Sequence, residues 1–140
     1  MIRAVSLAVV LVLVLSGCGP TADSFSIHRF SASPDRQFPP LDRTVTDAAV
    51  VSRLYEELRA LRPQEGTVFC AIDFGVRHDL SFFMHGERVL HGVMDLGCGV
   101  IDLGAGDVRA LDERFVPDLL DAIGLYTRGN DLWPTPIPRP

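Results

Sequence analysis

The chain has 140 residues and a formal net charge of −5, which suits one domain of modest size. All 13 basic residues are arginines, and no cluster of them could follow a phosphate backbone. The composition therefore excludes nucleic acid as a partner and favours a small acidic protein.

The first eighteen residues have the pattern of a bacterial lipoprotein signal. A short head containing Arg3 precedes an apolar run over 4–15, which is shorter than the roughly 20 residues of a spanning helix. The lipobox Leu15-Ser16-Gly17-Cys18 follows. We expect cleavage before Cys18, two acyl chains on its thiol, and stable anchoring at the extracytoplasmic face of the cell membrane. A plain secretion signal and an uncleaved N-terminal anchor are the alternatives.

This interpretation divides the chain into a signal peptide (1–17), a lipidated cysteine with a flexible tether (18–24), an α+β domain (25–127) and a mobile Pro-rich tail (128–140). Cys70 and Cys98 are then the two cysteines left in an oxidising compartment. We expect a disulfide between them, which would contribute roughly 3–4 kcal/mol. Two buried free thiols are the alternative.

The first predicted elements are a strand and a helix. The alternation over Phe25–Phe30 predicts the strand. The helix is predicted over Asp47–Leu61, with Thr46 or Asp47 as its cap and with Arg62-Pro63 ending it. Its apolar stripe is Val50 or Val51, Leu54, Leu58 and Leu61.

Short strands and a second helix are predicted in the remainder. The strands are Thr67–Ile72, Leu80–Met84, Arg88–Asp95 and Asp107–Leu111, with a hairpin turn at His85-Gly86-Glu87. A short apolar pair, Val100-Ile101, precedes the last of them. The helix lies within Asp112–Ile123, with Pro117 in its first turn and Gly124 just after its end. We therefore predict an α+β fold, in which an antiparallel sheet of four to five strands carries two helices on one face.

A glycine-rich segment, Met94–Gly99, is similar to the cofactor loop of S-adenosylmethionine methyltransferases. Ile101 stands where a third glycine is needed, and Gly104 and Gly106 interrupt any helix that should follow. We interpret the segment as a tight turn that presents Cys98, and we predict no cofactor.

Three histidines, His78, His85 and His91, lie near Asp73 and Asp79 in the sequence. No pair of them has a tight metal-ligand spacing, so we expect surface histidines and predict no metal site. Serine, histidine and aspartate also occur without a Gly-x-Ser-x-Gly elbow, and we predict no catalytic residue.

Residues 46–124 resemble small secreted proteins and predicted lipoproteins of high-GC, actinobacteria-like bacteria. The resemblance rests on Leu61-Arg62-Pro63, Cys70 with Asp73 and Gly75, Leu80-Ser81-Phe82, Gly97-Cys98, Val108-Arg109, and Phe115 with Leu119 and Gly124. These proteins often carry Cys-Pro where this chain has Cys70-Ala71. The resemblance implies the Cys70–Cys98 pairing and names no activity.

These patterns favour a non-enzymatic envelope lipoprotein, a binding or structural module held to the membrane through Cys18. Its expected partner is an envelope protein or a cell-wall component. The first alternative is a secreted inhibitor or accessory subunit of an extracellular enzyme, acting through a loop such as His85-Gly86-Glu87. The second is an enzyme with an unrecognised site.

Overall fold

The computed structural model describes residues 21–68, 70 and 75–125. Its elements, in chain order, are β1 (Ser24–Ser31), β2 (Asp42–Val45), α1 (Ala48–Ala60), β3 (Val76–Met84), β4 (Glu87–Asp95), β5 (Val100–Asp102), β6 (Val108–Ala110) and α2 (Phe115–Ala122). The signal, Cys18 and the Pro-rich tail lie outside the described residues. Within that part of the chain, no helix is both long and apolar enough to cross a membrane.

The strands form one antiparallel sheet in the order β2-β1-β3-β4-β5-β6. The predicted α+β class is confirmed, but the sheet has six strands instead of four to five. Strand β2 escaped prediction because its four residues have no buried member and no alternation. Hydrogen bonds to β1 hold β2 in place, and pairing of this kind gives four residues no hydrophobic pattern that could be recognised in the sequence.

The strand predicted over Thr67–Ile72 is not seen in the described part of that segment. Thr67, Val68 and Cys70 belong to no strand, and the rest of the segment lies outside the described residues. Thr67 and Cys70 are exposed, so this stretch lacks the buried face on which a strand depends.

Both helices pack on one face of the sheet. Asp47 caps α1 because its Oδ1 accepts hydrogen bonds from the backbone N–H groups of Ala49 and Val50 at 3.0 and 3.2 Å. The ring of Phe82 lies against those of Phe25 and Tyr55, with centroids 5.4 and 5.6 Å away. The core also contains Ile27, Val51, Leu54, Leu58, Leu61, Leu80, Met94, Ile101, Phe115, Leu119 and Ile123.

One edge of the sheet is covered by the chain that leaves α1. The backbone N–H of Ala110 donates to the Arg62 carbonyl at 2.9 Å, and that of Gln64 donates to the Val108 carbonyl at 2.8 Å. The guanidinium of Arg109 adds a bond to the Leu61 carbonyl at 2.9 Å. Strand β6 is therefore paired on both sides.

The N-terminal side of β1 is fixed to the β3–β4 turn. Ala22 is buried in the core, and the Asp23 N–H donates to the Phe83 carbonyl at 2.9 Å. The Asp23 carboxylate accepts from the His85 backbone N–H at 2.6 Å. This hydrogen bond is the main reason why the pKa of Asp23 is lowered.

Candidate functional site

The face of the sheet opposite the helices is the candidate site, and we call it the open face. Core residues such as Phe25 and Leu80 alternate along the strands with residues that point to the other side. Cross-strand register places polar residues in its centre: Ser26 lies opposite Ser81, and Ser81 lies opposite His91. Neither described helix packs on this side.

Two histidine–carboxylate pairs cross the open face in one line, which we call the polar row. His28 Nδ1 lies 2.7 Å from Asp42 Oδ1, and His91 Nε2 lies 2.8 Å from Asp79 Oδ2. His28 and Asp79 are directly opposite in the β1–β3 register, so the two pairs are neighbours. Their side chains are between 37% and 72% exposed, so a ligand could reach all four.

Ser81 also contacts the polar row, but not in the order that nucleophilic catalysis requires. Its hydroxyl donates to Asp79 Oδ1 at 3.4 Å, while His91 contacts the other oxygen of the same carboxylate. A catalytic triad places the histidine between serine and acid, so that the imidazole can remove the hydroxyl proton. Here the acid stands in the middle, and the arrangement is suited to hydrogen bonding.

A second cluster lies where β4 ends and β5 begins. Cys70 and Cys98 form a disulfide, with their Cα atoms 4.3 Å apart, as predicted. Asp95 Oδ1 accepts from the Cys98 backbone N–H at 3.1 Å, and Asp95 Oδ2 forms an ion pair with Arg77 at 2.9 Å. Asp95 and Arg77 are largely buried, which makes this pair part of the local packing.

The glycine-rich segment is the turn of this cluster. Residues 96–99 connect β4 to β5, which return antiparallel with Asp95 opposite Val100. Gly99 has a φ of 67°, and its N–H donates to the Leu96 carbonyl at 3.3 Å. A strand follows instead of the helix that a cofactor loop would need, and the interpretation as a turn presenting Cys98 is confirmed.

The same cluster contains the donor atoms that could hold a metal. Potential ligand atoms of Cys70, Asp95 and Cys98 lie within 4.8 Å of one another. The sulfur–sulfur bond removes both thiolates as ligands, and Arg77 already neutralises the carboxylate. As it stands, the cluster is therefore a covalent and ionic cross-link.

His78 is a correction to the sequence analysis, which placed it on the surface. It is fully buried on the core face of β3, where its Nε2 accepts from Arg29 Nε at 3.3 Å. Burial, and then the positive charge of Arg29, lowers the pKa of His78 to about 3. Nδ1 has no hydrogen-bond partner. Val76, Leu80 and Phe82 also face the core at two-residue spacing from His78, and this alternation is the sequence signal for a buried residue at position 78.

The histidines that are close in sequence therefore separate in space. His78 lies in the core, His85 lies in the β3–β4 turn, and His91 lies on the open face. His91 meets Asp79, whereas Asp73 lies outside the described residues. His28 and Asp42 were not predicted as site residues, because only the strand register brings them together with Asp79.

Comparisons of the chain with protein-family models, with curated proteins and with solved structures found no match.

Proposed function

We propose that this protein is a non-enzymatic, lipid-anchored binding module of the bacterial cell envelope. In this proposal Leu15-Ser16-Gly17 directs cleavage, and Cys18 carries the lipid at the extracytoplasmic face of the cell membrane. The observation that carries the binding role is the one-sided packing of the sheet. Both helices cover one face, and the polar row remains accessible on the other.

The polar row favours a partner rich in hydroxyl or amide groups. Asp42 and Asp79 offer accepting oxygens, and the second ring nitrogen of each histidine makes no hydrogen bond to the described residues. The alternation of acid and imidazole gives donors and acceptors at neighbouring positions. An envelope protein or a cell-wall polymer presents such groups, and either would bury a polar surface without inserting an apolar anchor.

The anchor is tested by the intact mass of protein taken from native membranes. We expect a chain that begins at Cys18, carries a diacyl or triacyl increment and has no thiol available to alkylate after denaturation. A full-length chain with three reactive thiols would overturn both the anchor and the disulfide.

The binding face is tested by photo-crosslinking in living cells. A benzophenone amino acid at Thr44, exposed on the open face, should capture one reproducible partner. The same residue at Glu56, exposed on α1, is the matched control and should capture none. Equal adducts from both positions would reject the open face as the binding surface. A captured extracellular hydrolase would instead favour the inhibitor alternative.

A further inference from the structure

We propose that the end of the sheet formed by the β3–β4 hairpin rests on the phospholipid headgroups, and that the disulfide end points away from the membrane. This orientation depends on the proposed lipidation of Cys18. It deepens that proposal by naming the surface that meets the bilayer and the surface left free for a partner.

The proposed anchor has a short reach. Ala22 is four positions after Cys18, and four extended residues span at most roughly 14 Å. Ala22 is only 3% exposed, and the backbone and carboxylate of Asp23 are bonded to Phe83 and His85. The described part of the chain therefore begins beside the hairpin and cannot move far from the lipid.

The sheet is longer than this reach. Ser24 pairs with Phe83 at the hairpin end, and Ser31 pairs with Val76 at the other end. Seven residues along a strand correspond to roughly 23 Å. The disulfide lies at the second end, because Cys98 is in the turn that follows Asp95. The tether is thus shorter than the sheet, and it holds one end of the sheet to the membrane.

The hairpin end carries an exposed apolar side chain beside a cation. Among the large hydrophobic residues of the described chain, Val89 is the exposed one, at 37%. It lies at the register shift between β3 and β4, beside the exposed Arg88. An apolar side chain next to an arginine suits the headgroup region, where the methyl groups leave water and the cation meets phosphate.

The negative charges of the protein favour a shallow contact with the bilayer, made by the hairpin end alone. Asp23 and Glu87 flank the hairpin, so we expect a shallow contact without deep insertion. Loss of Arg3 with the signal would leave a net charge of −6, which an anionic bilayer repels. A sheet lying flat on the membrane would bring the acidic residues of the open face towards that surface. The upright orientation avoids this cost.

The experiment uses the mature chain with a synthetic tether. With Cys70 and Cys98 bonded to each other, the thiol of Cys18 couples alone to a maleimide phospholipid. Trp133→Phe provides a background without tryptophan, since the chain has one. A single tryptophan is then introduced by Val89→Trp at the hairpin end or by Glu113→Trp, exposed after β6 at the disulfide end.

Brominated phospholipids in the vesicles quench tryptophan only at short range. We expect quenching of the Val89→Trp protein to be at least several-fold stronger than that of the Glu113→Trp protein. A flexible insert of twenty Gly and Ser residues after Cys18 should reduce this difference, because it removes the restriction in reach. Equal quenching at both positions, or stronger quenching at position 113, would overturn the orientation.

The two proposals can fail separately. A native protein without lipid on Cys18 would remove the proposed anchor, whatever the synthetic tether shows. A lipidated native protein whose tethered form quenches equally at both positions would keep the anchor and reject the orientation.

Discussion

The two ends of the sheet are held by different kinds of contact. At the hairpin end, two adjacent residues make the turn, with φ values of 52° at His85 and 81° at Gly86. At the disulfide end, the contacts join residues far apart in sequence. Cys70 and Cys98 are 28 positions apart, and the buried Arg29 and His78 are 49 apart.

This difference shows where the stability of each end resides. The turn at the hairpin end depends on backbone conformations that neighbouring residues can adopt by themselves, and the distant Asp23 adds exposed hydrogen bonds to it. The disulfide end depends on a covalent bond and on buried polar contacts that exist only after the strands are in register. We therefore expect substitutions at the disulfide end to have the larger effects, and three predictions test this.

The largest effect is expected from removal of the disulfide. The double variant Cys70→Ala with Cys98→Ala should lose roughly 3–4 kcal/mol of unfolding free energy, because the unfolded chain is no longer constrained. Denaturant titration measures this loss. Hydrogen exchange should show faster opening near Asp95 and Val100 than near Met84 and Glu87. Equal loss of protection at both ends would contradict the division between them.

The next effect concerns acid. The pKa of His78 is lowered to about 3 in the fold, so between that pH and its unfolded value near 6.5 the unfolded chain binds more protons. Its contribution is present above pH 6.5 and is lost as the pH falls. We expect a loss of roughly 2 kcal/mol between pH 7 and pH 5 from this group alone.

The variant His78→Gln isolates the pH-dependent contribution of His78 to stability. Glutamine does not titrate, and its carbonyl oxygen can still accept from Arg29, so the fall in stability between pH 7 and pH 5 should become shallower by that amount. His78→Leu should show the same shallower slope at a lower stability, since it removes one hydrogen bond of Arg29. Thermal unfolding at both pH values measures this fall in stability. A fall as steep in the variants as in the parent protein would refute the role of His78.

The smallest effect is expected at the hairpin end. Gly86→Ala should cost about 1–2 kcal/mol, because an L-residue is strained at a φ of 81°. A Cβ there would meet no atom within 4 Å, so the cost comes from the backbone alone. Gly86→Asn is the matched control and should cost less, since asparagine tolerates positive φ. If both variants lost 3 kcal/mol or more, the hairpin would not be the weaker of the two ends.

The same contrast explains what the sequence could predict of the fold. Helix α1 was predicted to within one residue at each end, because its cap Asp47 and its breaker Pro63 are local signals. The His85-Gly86 turn was predicted for the same reason. Strand β2 could not be predicted, because in the described chain it pairs with β1 alone and Val45 is its one residue packed against the core.

Of the candidate site, only the disulfide could be predicted from the sequence. The Cys70–Cys98 bond was predicted once Cys18 was assigned to the lipid, since two cysteines then remained. The polar row could not be predicted, because His28 and Asp79 are opposite each other only in the folded register. His78 was misplaced because a polar residue was assumed to lie outside, although its neighbours at two-residue spacing are apolar.

The covered edge of β6 also limits how copies of this protein could associate. Sheets join edge to edge when strands with unpaired backbone groups meet. Among the described residues, Arg62 and Gln64 occupy the outer side of β6, which leaves the outer side of β2 as the edge without a backbone partner. Two copies that met through β2 would each use their one open edge, so growth would stop at a closed pair. A fibre needs two adhesive edges on every copy, and the described part of this chain offers one.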